Sequence, residues 1–539
     1  MHDLVQDLIA AGASAWEDRP ALAHKGARLS YGALNAAVAA VAAGLLDLGL
    51  GRGERVAVYL EKRVETVAGF FGAAAAGGVF VPVNPLLRPP QVGYILRDCA
   101  VRVLVTSPQR ARGLADELAA CPDLRCVVVT GPLPENLAPK ELAPVVARAL
   151  SWEEMLAAAG PAAPHRVIDT DMAAIMYTSG STGSPKGVVL SHRNLVAGAR
   201  SVSGYLENNP DDRILSVLPL SFDAGLSQLT TGFCAGAEVI LLDYLLPRDV
   251  ARTCAREKIT GLTCVPPLWV QLAEQDWPND AAASLRYFAN TGGHMPKPVL
   301  ERLRAIFPQA RPYLMYGLTE AFRSTYLDPG EAERRPGSIG KAIPNAEILV
   351  VREDGTPCDP GEHGELVHRG ALVAMGYWND PARTAERFRP APGRESGLPL
   401  DEMAVWSGDI VYKDEEGFLY FVGRRDEMIK SSGYRISPSE VEDVFYKSGL
   451  VSEAAALGVP HPRLGQGIVV VASPADGGTL DTEALLDACR QKLPRFMVPE
   501  LIAARDALPH GPNGKIDRAR LKQDFMDTFA DIPLETRHG

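Results

Sequence analysis

Short runs of β-branched and apolar residues, each ending in a turn or polar residue, constrain the fold of this chain more than any other feature. Segments with small apolar residues at helical spacing, such as residues 31–49, alternate with these runs. Strands that alternate with helices in this way indicate the parallel sheets of an α/β fold. The predicted strands are ERVAVYL (54–60), VRVLVTS (101–107), RCVVVTG (125–131) and AAIMYTSG (173–180).

The pattern changes from about residue 337, where strands separated by turn signals replace the strand–helix alternation. AEILVVREDGTPC, GELVHRG and IVYKDEEGFLYFVG carry Asp-Gly and Glu-Gly pairs, which fit turns between antiparallel strands. After GRRDE, residues 423–427, a shorter tail begins, and SPSEVEDVFYKSG predicts a helix with Pro438 in its first turn. We therefore expect a large domain at residues 1–422 and a small α+β domain at residues 423–539.

The composition argues against several classes of protein. The chain has 539 residues and a formal charge of −11, and nothing in it resembles the basic stripe of a nucleic-acid binder. Its eight cysteines are scattered without a C-x-x-C pair, as in a reduced cytosolic protein. The N-terminus MHDLVQDLIA lacks a basic region, and the longest apolar stretch, residues 67–83, is interrupted by glycines. We expect a cytoplasmic protein that neither spans a membrane nor binds nucleic acid.

The most informative loop follows the apolar strand AAIM and reads YTSGSTGSPKGV, residues 177–188. Its glycines allow the backbone to approach a phosphate, its hydroxyls supply donors, and Lys186 supplies a positive charge. The same composition is also typical of a flexible Ser/Gly surface turn. A Walker A loop is excluded, because Pro185 precedes the lysine and Gly187 follows it. The loop taken alone leaves a phosphate site of another kind and a surface turn as alternatives.

The segment YTSGSTGSPKGVVLSHRNL resembles the phosphate-loop signature of the adenylate-forming superfamily, which contains acyl-CoA synthetases, peptide-synthetase adenylation domains and firefly luciferase. MYGLTEAFRSTYLDP is similar to the acyl-CoA or acyl-carrier ligases that accompany exosortase systems. Other motifs of the superfamily follow in family order between about residues 30 and 520, which makes a chance match negligible. They are VFVPVNP, LPLSFDAG, TGG, YGLTE, GELVHRGALVAMGYWNDPARTAERF, SGD, GRRDEMIKSSGYRISPSEVE, LPRFMVP and PNGKIDR.

This resemblance implies a fold and a two-step reaction. The expected fold is α/β, with a large N-terminal domain of parallel and mixed sheets, a β-barrel-like subdomain, and a small mobile C-terminal domain. ATP and a carboxylic acid would give an acyl adenylate and pyrophosphate, and the thiol of CoA or of a carrier-protein phosphopantetheine would then displace AMP. Only 21 residues follow PNGKIDR, too few for a carrier domain of roughly 80 residues, so we expect the thiol partner to be separate.

Residues that match the nucleotide motifs are expected to bind ATP and Mg²⁺. In YGLTE, Tyr316 would stack on adenine and Thr319 would hydrogen-bond the α-phosphate. Glu320 would ligate the metal, which prefers oxygen ligands, and Asp409 would accept both ribose hydroxyls. The further nucleotide residues implied by the resemblance are Thr178, Ser179, Gly180, Ser181, Thr182, Gly183 and Lys186 around the β- and γ-phosphates, Gly292 and Gly293 against adenine or the acyl chain, Gly317, and Arg424.

The resemblance also implies that two faces of the small domain serve one site in turn. Lys515, in PNGKIDR, would bridge the substrate carboxylate and the α-phosphate during adenylation and neutralise the charge that develops there. After a rotation about Asp426, the motif that contains Lys430 and Gly433 would replace it and line the pantetheine tunnel.

The motif LPLSFDAG bears on the substrate. Phe222 and Asp223 match the Phe-Asp of peptide-synthetase adenylation domains, where the aspartate pairs with the ammonium group of an amino acid. Fatty and aryl acyl-CoA synthetases often carry His where this chain has Phe222. The motif therefore favours an amino-acid substrate, and the alternative is that Asp223 merely caps the following helix.

The main hypothesis is thus an ATP-dependent ligase that joins a carboxylic acid to a thiol. A luciferase-like oxidase acting on the adenylate shares the motifs, and acceleration of AMP release by a thiol would distinguish the two. A non-catalytic nucleotide-binding scaffold is the other alternative. It has no use for Lys186, Glu320, Asp409 and Lys515 together, and all four are present.

Overall fold

Parallel strands covered by helices form the larger part of the molecule, as the sequence predicted. The computed structural model describes residues 3–133, 148–158, 160, 163–178, 185–293, 295, 297–393, 397–424, 429–436, 438–475, 478–509 and 516–532. All four predicted strand runs are strands of one seven-stranded sheet within these ranges. In spatial order its strands are Arg148–Ser151, Cys126–Val129, Val101–Thr106, Arg55–Tyr59, Val79–Pro82, Met172–Thr178 and Lys186–Ser191.

Neighbouring strands of this sheet are parallel, except that Lys186–Ser191 runs antiparallel to Met172–Thr178. The predicted strands are continuous apolar runs because helices cover both faces of the sheet and bury successive side chains. The hairpin that joins the last two strands carries the glycine-rich loop, so the sheet fixes both ends of that loop.

A second sheet begins as a parallel sheet and continues along the same path as an antiparallel one, which confirms the predicted change of pattern. Its parallel strands are Pro20–His24, Glu238–Leu241, Arg213–Ser216, Gly261–Cys264, Tyr287–Asn290 and Arg311–Tyr316, with Ala27–Ser30 antiparallel at the edge. Its antiparallel strands are Thr325–Leu327, Ser338–Ala342, Leu419–Arg424, Met403–Lys413, Gly364–Gly370 and Ala346–Val351, and Phe388–Pro390 pairs with Met403–Lys413.

A third, smaller sheet belongs to the tail and has its own apolar core. The predicted helix with Pro438 in its first turn is present as Pro438–Ser448. The boundary at 422/423 stays a prediction, and Leu419–Arg424, which pairs with Met403–Lys413 of the larger sheet, runs across it. The strands of the third sheet are Tyr434–Ile436, Ile429–Ser431, Gly465–Pro474, Val451–His461 and Leu501–Ala504.

Helices pack on the sheets and cover their apolar faces. The predicted helix at 31–49 spans Tyr31–Asp47 and begins at Ser30, whose side chain accepts a hydrogen bond from the Ala33 amide. Across the described ranges, no helix combines the length and the apolar character needed to cross a membrane. The other helices are Asp7–Ala15, Val64–Ala75, Pro89–Asp98, Pro108–Gly113, Ala115–Ala119, Trp152–Ala157, His192–Tyr205, Asp223–Ala235, Pro247–Glu257, Pro266–Ala273, Asn279–Ser284, Lys297–Ile306, Pro381–Arg387, Pro438–Ser448, Thr482–Lys492 and Arg518–Asp524, with 3₁₀ turns at Thr319–Ala321, Pro329–Glu331 and Arg495–Met497.

Candidate active site

Three motifs that lie far apart in the sequence meet at Lys186 of the glycine-rich loop. The ammonium group of Lys186 donates to Glu320 Oε1 at 3.0 Å and to the Tyr377 hydroxyl at 3.0 Å. The Tyr377 hydroxyl in turn donates to the same Glu320 oxygen at 2.7 Å, and its ring lies 4.4 Å from the Lys186 ammonium. Glu320 and Tyr377 are each 6% exposed. Burial and the negative charge of Glu320 raise the pKa of Tyr377, so its hydroxyl remains a donor at neutral pH.

A second carboxylate, Asp409, is joined to the YGLTE motif by a hydrogen bond. Asp409 lies on the strand Met403–Lys413 and is fully buried, and its backbone amide donates to Ser407 Oγ at 3.0 Å. Tyr316 ends the strand Arg311–Tyr316, and its hydroxyl donates to Asp409 Oδ2 at 2.5 Å. The parallel and antiparallel parts of the second sheet therefore place these two predicted nucleotide residues in direct contact.

The backbone after YGLTE turns back sharply on itself. The Ser324 amide donates to the Tyr316 carbonyl at 3.1 Å, and the Ser324 hydroxyl lies 2.9 Å from Nδ1 of the fully buried His368. Burial lowers the pKa of His368 to about 3, so this histidine is neutral at physiological pH. Phe322 adopts φ = +56° with ψ = −48°, a backbone conformation that is strained for a bulky residue. Backbone strain of this kind concentrates at functional sites.

The small sheet approaches the large domain at one valine. Gly292 of the TGG motif has φ = +77°, and a Cβ there would lie 3.3 Å from Val265 Cγ1. Gly433 has φ = +81°, and a Cβ there would lie 2.8 Å from Val265 Cγ2. Glycine is thus required at Gly433 both by its backbone conformation and by the space available. Two predicted site motifs, one from each part of the chain, therefore lie against the same valine side chain.

Aromatic contacts reinforce this approach. The ring of Phe222 meets that of Tyr434 edge to face at 4.9 Å, and Tyr434 stacks on Phe496 at 3.5 Å. Burial raises the pKa of Tyr434 to about 12. The ammonium group of Lys430 lies 4.5 Å from the centre of the Phe421 ring. The hairpin that carries Lys430 and Gly433 is therefore the part of the small sheet that faces the predicted nucleotide and acyl motifs.

Asp223 has a partner that the sequence did not indicate. It is the first residue of the helix Asp223–Ala235, and the N-cap is Phe222, which makes no side-chain cap. Asp223 Oδ2 accepts a hydrogen bond from Nη1 of Arg323 at 3.3 Å. The Arg323 side chain is 2% exposed and that of Asp223 is 18% exposed. Helix capping by Asp223 is therefore not observed, and its carboxylate lies beside a buried guanidinium.

Comparison with known proteins identifies the family. The family model described as AMP-binding enzyme matches residues 9–378, and the model of the AMP-binding enzyme C-terminal domain matches residues 440–515. The chain belongs to the AMP-binding enzyme family. The expected resemblance is thereby confirmed.

Relatives of this AMP-binding enzyme are acid–thiol ligases. It is 32% identical to a sulfoacetate–CoA ligase of Cupriavidus necator, across 97% of this chain and 98% of that protein. It is 34% identical to an L-proline–[L-prolyl-carrier protein] ligase of Streptomyces coelicolor, across 92% of each. A double mutant of the Bacillus subtilis o-succinylbenzoate CoA synthetase, bound with a product analogue, superposes with a TM-score of 0.78 at 25% identity, covering 96% of this chain and 98% of that one. The enzyme is an AMP-forming ligase that joins a carboxylic acid to a thiol.

Several predicted residues of the AMP-binding enzyme lie outside what the structure describes. They are Ser179, Gly180, Ser181, Thr182, Gly183, Asp426, Lys515 and the side chain of Arg424. Thr178 ends its strand with a buried hydroxyl that has no hydrogen-bond partner in the described part of the chain. Gly317 lies directly against Arg323, since a Cβ there would be 3.2 Å from the Arg323 Cα. The roles assigned to these residues remain predictions.

Sequence reasoning missed two residues of the site. Tyr377 follows Gly376 within the long motif that begins GELVHRG, and its only signal was membership of that motif. Arg323 lies three residues beyond YGLTE, and nothing in its neighbourhood marks it as buried. Arginine is usually exposed, so the prediction from residue type alone is the opposite of what is found.

Glu320 is the carboxylate of the cluster that could take part in binding a magnesium ion. Within the described ranges, no group of three or more His, Cys, Asp or Glu side chains could hold a metal ion. Glu320 supplies one buried carboxylate beside Lys186. Mg²⁺ is commonly bound by one or two carboxylates together with substrate phosphates, and this donor set matches that arrangement.

Proposed function

We propose that this enzyme activates a small carboxylic acid with ATP on the Lys186–Glu320–Tyr377 cluster and then transfers the acyl group to CoA or to a carrier-protein phosphopantetheine. The meeting of three motifs at one ammonium group carries the proposal. In the first step a carboxylate oxygen of the acid attacks the α-phosphorus, and the bond to pyrophosphate breaks. In the second step the thiol sulfur attacks the acyl carbon, AMP leaves, and the thiol proton passes to solvent.

Lys186 and Asp409 would hold opposite ends of ATP. Lys186 lies at the end of the glycine-rich loop, where its ammonium group would exchange Glu320 for phosphate oxygens. Asp409 would accept the ribose hydroxyls, while the Tyr316 hydroxyl keeps one carboxylate oxygen in place. A buried carboxylate whose orientation is already fixed loses little entropy when the nucleotide binds. Thr319, at the start of the 3₁₀ turn, would donate to the α-phosphate.

Glu320 would hold Mg²⁺ after Lys186 moves to the phosphates. The metal ion, when bound, would neutralise the charge of the phosphate oxygens. The Tyr377 hydroxyl donates to Glu320, and it would orient the carboxylate for that purpose. Lys515 would neutralise charge on the attacking carboxylate during the first step.

The second step would use the face of the small domain that carries Gly433. The approach of Gly433 to Val265, beside Gly292, supports a narrow passage there, which the unbranched cysteamine end of pantetheine would enter. Lys430 lies on the same hairpin. Domain alternation about Asp426 would exchange this face for the one that carries Lys515.

A screen tests the function and identifies the acid. ATP–pyrophosphate exchange is measured with amino acids, fatty acids, aryl acids and short polar acids, since one relative is named for sulfoacetate and another for L-proline. AMP release is then measured with CoA, with a phosphopantetheinylated carrier protein, and with neither. Lys186→Met should abolish exchange, whereas Lys297→Met, at an exposed lysine that pairs with Glu301, should not. Exchange at the parental rate in Lys186→Met, or AMP release that no thiol accelerates, would contradict the proposal.

A further inference from the structure

The buried guanidinium of Arg323 lines a small cavity whose walls are mainly apolar. The cavity has a volume of about 20 Å³. Met315, which precedes the YGLTE motif, and Arg323, which packs against Gly317 of that motif, both line the cavity, so the cavity lies close to this motif. Its other polar lining comes from the helix that begins at Asp223 and from the neighbouring strand, through Ser227, Gln228, Thr231 and Thr263.

The bonding of Arg323 leaves part of its guanidinium without an acceptor. Both of its hydrogen bonds to described residues leave from Nη1, one to Asp223 Oδ2 and one to the Phe322 carbonyl, each at 3.3 Å. Nε is buried and has no hydrogen-bond partner among the described residues. Charge-assisted bonds of this type are usually 2.7–2.9 Å long, so the contact with Asp223 is a long one. A buried charge held this loosely is costly unless another group satisfies it.

The unsatisfied edge of the guanidinium matches an oxyanion. Nε and Nη2 present two parallel N–H bonds, which carboxylates and sulfonates accept in a bidentate manner. The hydroxyls of Ser227 and Thr231 lie 3.4 Å apart, a weak mutual contact, and they can supply further donors to the same group. Gln228 is already engaged, since its amide donates to the Leu215 and Thr263 carbonyls. The guanidinium N–H groups can only donate, and the two hydroxyls can donate or accept, so these groups together suit a ligand that accepts hydrogen bonds.

The size of the cavity limits the length of the ligand. A volume of about 20 Å³ is enough for about one water molecule. Met315 and the fully buried Tyr287 close its apolar side. One oxygen atom of a terminal carboxylate or sulfonate could occupy this volume, whereas an alkyl chain of many carbons would have to displace packed core residues.

We propose that the acid activated by this enzyme is a short one that bears a second oxyanion, a carboxylate or a sulfonate, and that Arg323 binds this group as the specificity-determining residue. The proposal rests on the proposed function and narrows its substrate class. Asp223 then orients Arg323 by accepting from Nη1, rather than pairing with the ammonium group of an amino acid.

Matched acids test this directly in the pyrophosphate-exchange assay. Succinate is compared with its monomethyl ester, 3-sulfopropionate with 3-(methylsulfonyl)propionate, and both with pentanoate, octanoate, glycine and proline. The parent enzyme should favour each oxyanion over its neutral partner by at least about tenfold in kcat/KM, because an unmet buried donor penalises the neutral analogue. The carboxylate and sulfonate arms show which oxyanion the site prefers.

Variants show whether Arg323 is responsible. The ratio of interest is kcat/KM for each oxyanion substrate divided by kcat/KM for its neutral partner. Arg323→Met should reduce this ratio to about one. The double variant Arg323→Met/Asp223→Asn should do the same without leaving a lone carboxylate in the site. Arg102→Met is the matched control, since it removes another partly buried guanidinium, paired with Glu54 and Asp123, from the seven-stranded sheet, none of whose strands lines the cavity, and it should keep the parental ratio. The ratio is insensitive to a uniform loss of folded enzyme.

The outcomes separate the two proposals. A parental preference for amino acids or neutral acids, or an unchanged ratio in the double variant, would overturn the role of Arg323 while leaving the ligase intact. If Asp223→Asn abolishes exchange with amino acids and Arg323→Met does not, the proposed role of Arg323 is wrong and Asp223 binds the ammonium group of the substrate. Absence of exchange with every acid would overturn the proposed function and this inference together.

Discussion

Tyr377→Phe tests whether the hydroxyl at the centre of the charged cluster acts in catalysis. The change removes one oxygen that donates to Glu320 at 2.7 Å and accepts from Lys186 at 3.0 Å, and it keeps the ring that lies 4.4 Å from the Lys186 ammonium. A hydrogen bond to a charged group contributes roughly 1.5–3 kcal/mol. If this hydrogen bond keeps Glu320 and Lys186 in the positions that bind ATP, its loss should lower kcat/KM for ATP by roughly 10- to 150-fold, at about 1.4 kcal/mol per factor of ten.

A second tyrosine provides the control for stability. The Tyr31 hydroxyl is also buried, and it donates to the Ala237 carbonyl at 2.8 Å, away from the cluster. Tyr31→Phe should lower the free energy of unfolding by about 0.5–1.5 kcal/mol, as expected for a bond between neutral groups, with no change in exchange. Pyrophosphate exchange at varied ATP and urea unfolding are measured for both variants. Parental kcat/KM in Tyr377→Phe, together with inactive Lys186→Met, would refute the catalytic reasoning and leave Tyr377 as a packing residue.

Three further predictions concern the nucleotide site, the domain contact and acid stability. Tyr316→Phe should raise KM for ATP about tenfold with little change in kcat, because Asp409 loses the donor that orients it; an unchanged KM would contradict this. Gly433→Ala should slow thioester formation by at least about tenfold while exchange continues, because the new Cβ would lie 2.8 Å from Val265 at a positive φ; equal losses in both assays would contradict domain alternation. In the parent, the folded-state pKa of His368 is lowered to about 3, so between about pH 6.5 and pH 3 only the unfolded chain binds this proton and the free energy of unfolding falls as the pH is lowered. His368→Gln removes this contribution and should make that fall less steep by up to about 1.4 kcal/mol per pH unit. An equal slope for the parent and the variant in acid titrations would disprove this.

Much of the fold could be predicted because it depends on local patterns. Strands buried on both faces must be continuous apolar runs, and such runs at 101–107 and 125–131 correspond to Val101–Thr106 and Cys126–Val129. The change to antiparallel strands could be predicted equally well, since Asp-Gly and Glu-Gly turns connect neighbouring strands directly. The sequence did not predict that the antiparallel strands pair with the last strand of the parallel sheet, because the pairing of distant segments depends on no local sequence pattern.

The site was predictable as a set of motifs and not as a set of contacts. Lys186 and Glu320 were expected separately, yet they are 134 residues apart, and only the fold shows that they form an ion pair. Tyr377, a further 57 residues away from Glu320, completes the cluster through its hydroxyl. A motif indicates which residues are required, whereas the electrostatics depend on which of them are neighbours.

Asp223 illustrates the consequence for substrate prediction. A Phe-Asp pair favours ammonium binding only if the carboxylate reaches the pocket with its charge uncompensated. Here the guanidinium of Arg323 lies 3.3 Å from it and is almost wholly buried, so an incoming ammonium would meet a positive charge at short range in a poorly screened site. An incoming oxyanion would be attracted by the same positive charge. If Arg323 binds an oxyanion, neutralising it should lower kcat/KM for dicarboxylates. If Asp223 binds an ammonium group, the same change should raise kcat/KM for amino acids or leave it as it was. The direction of the change can be measured without knowing the natural substrate.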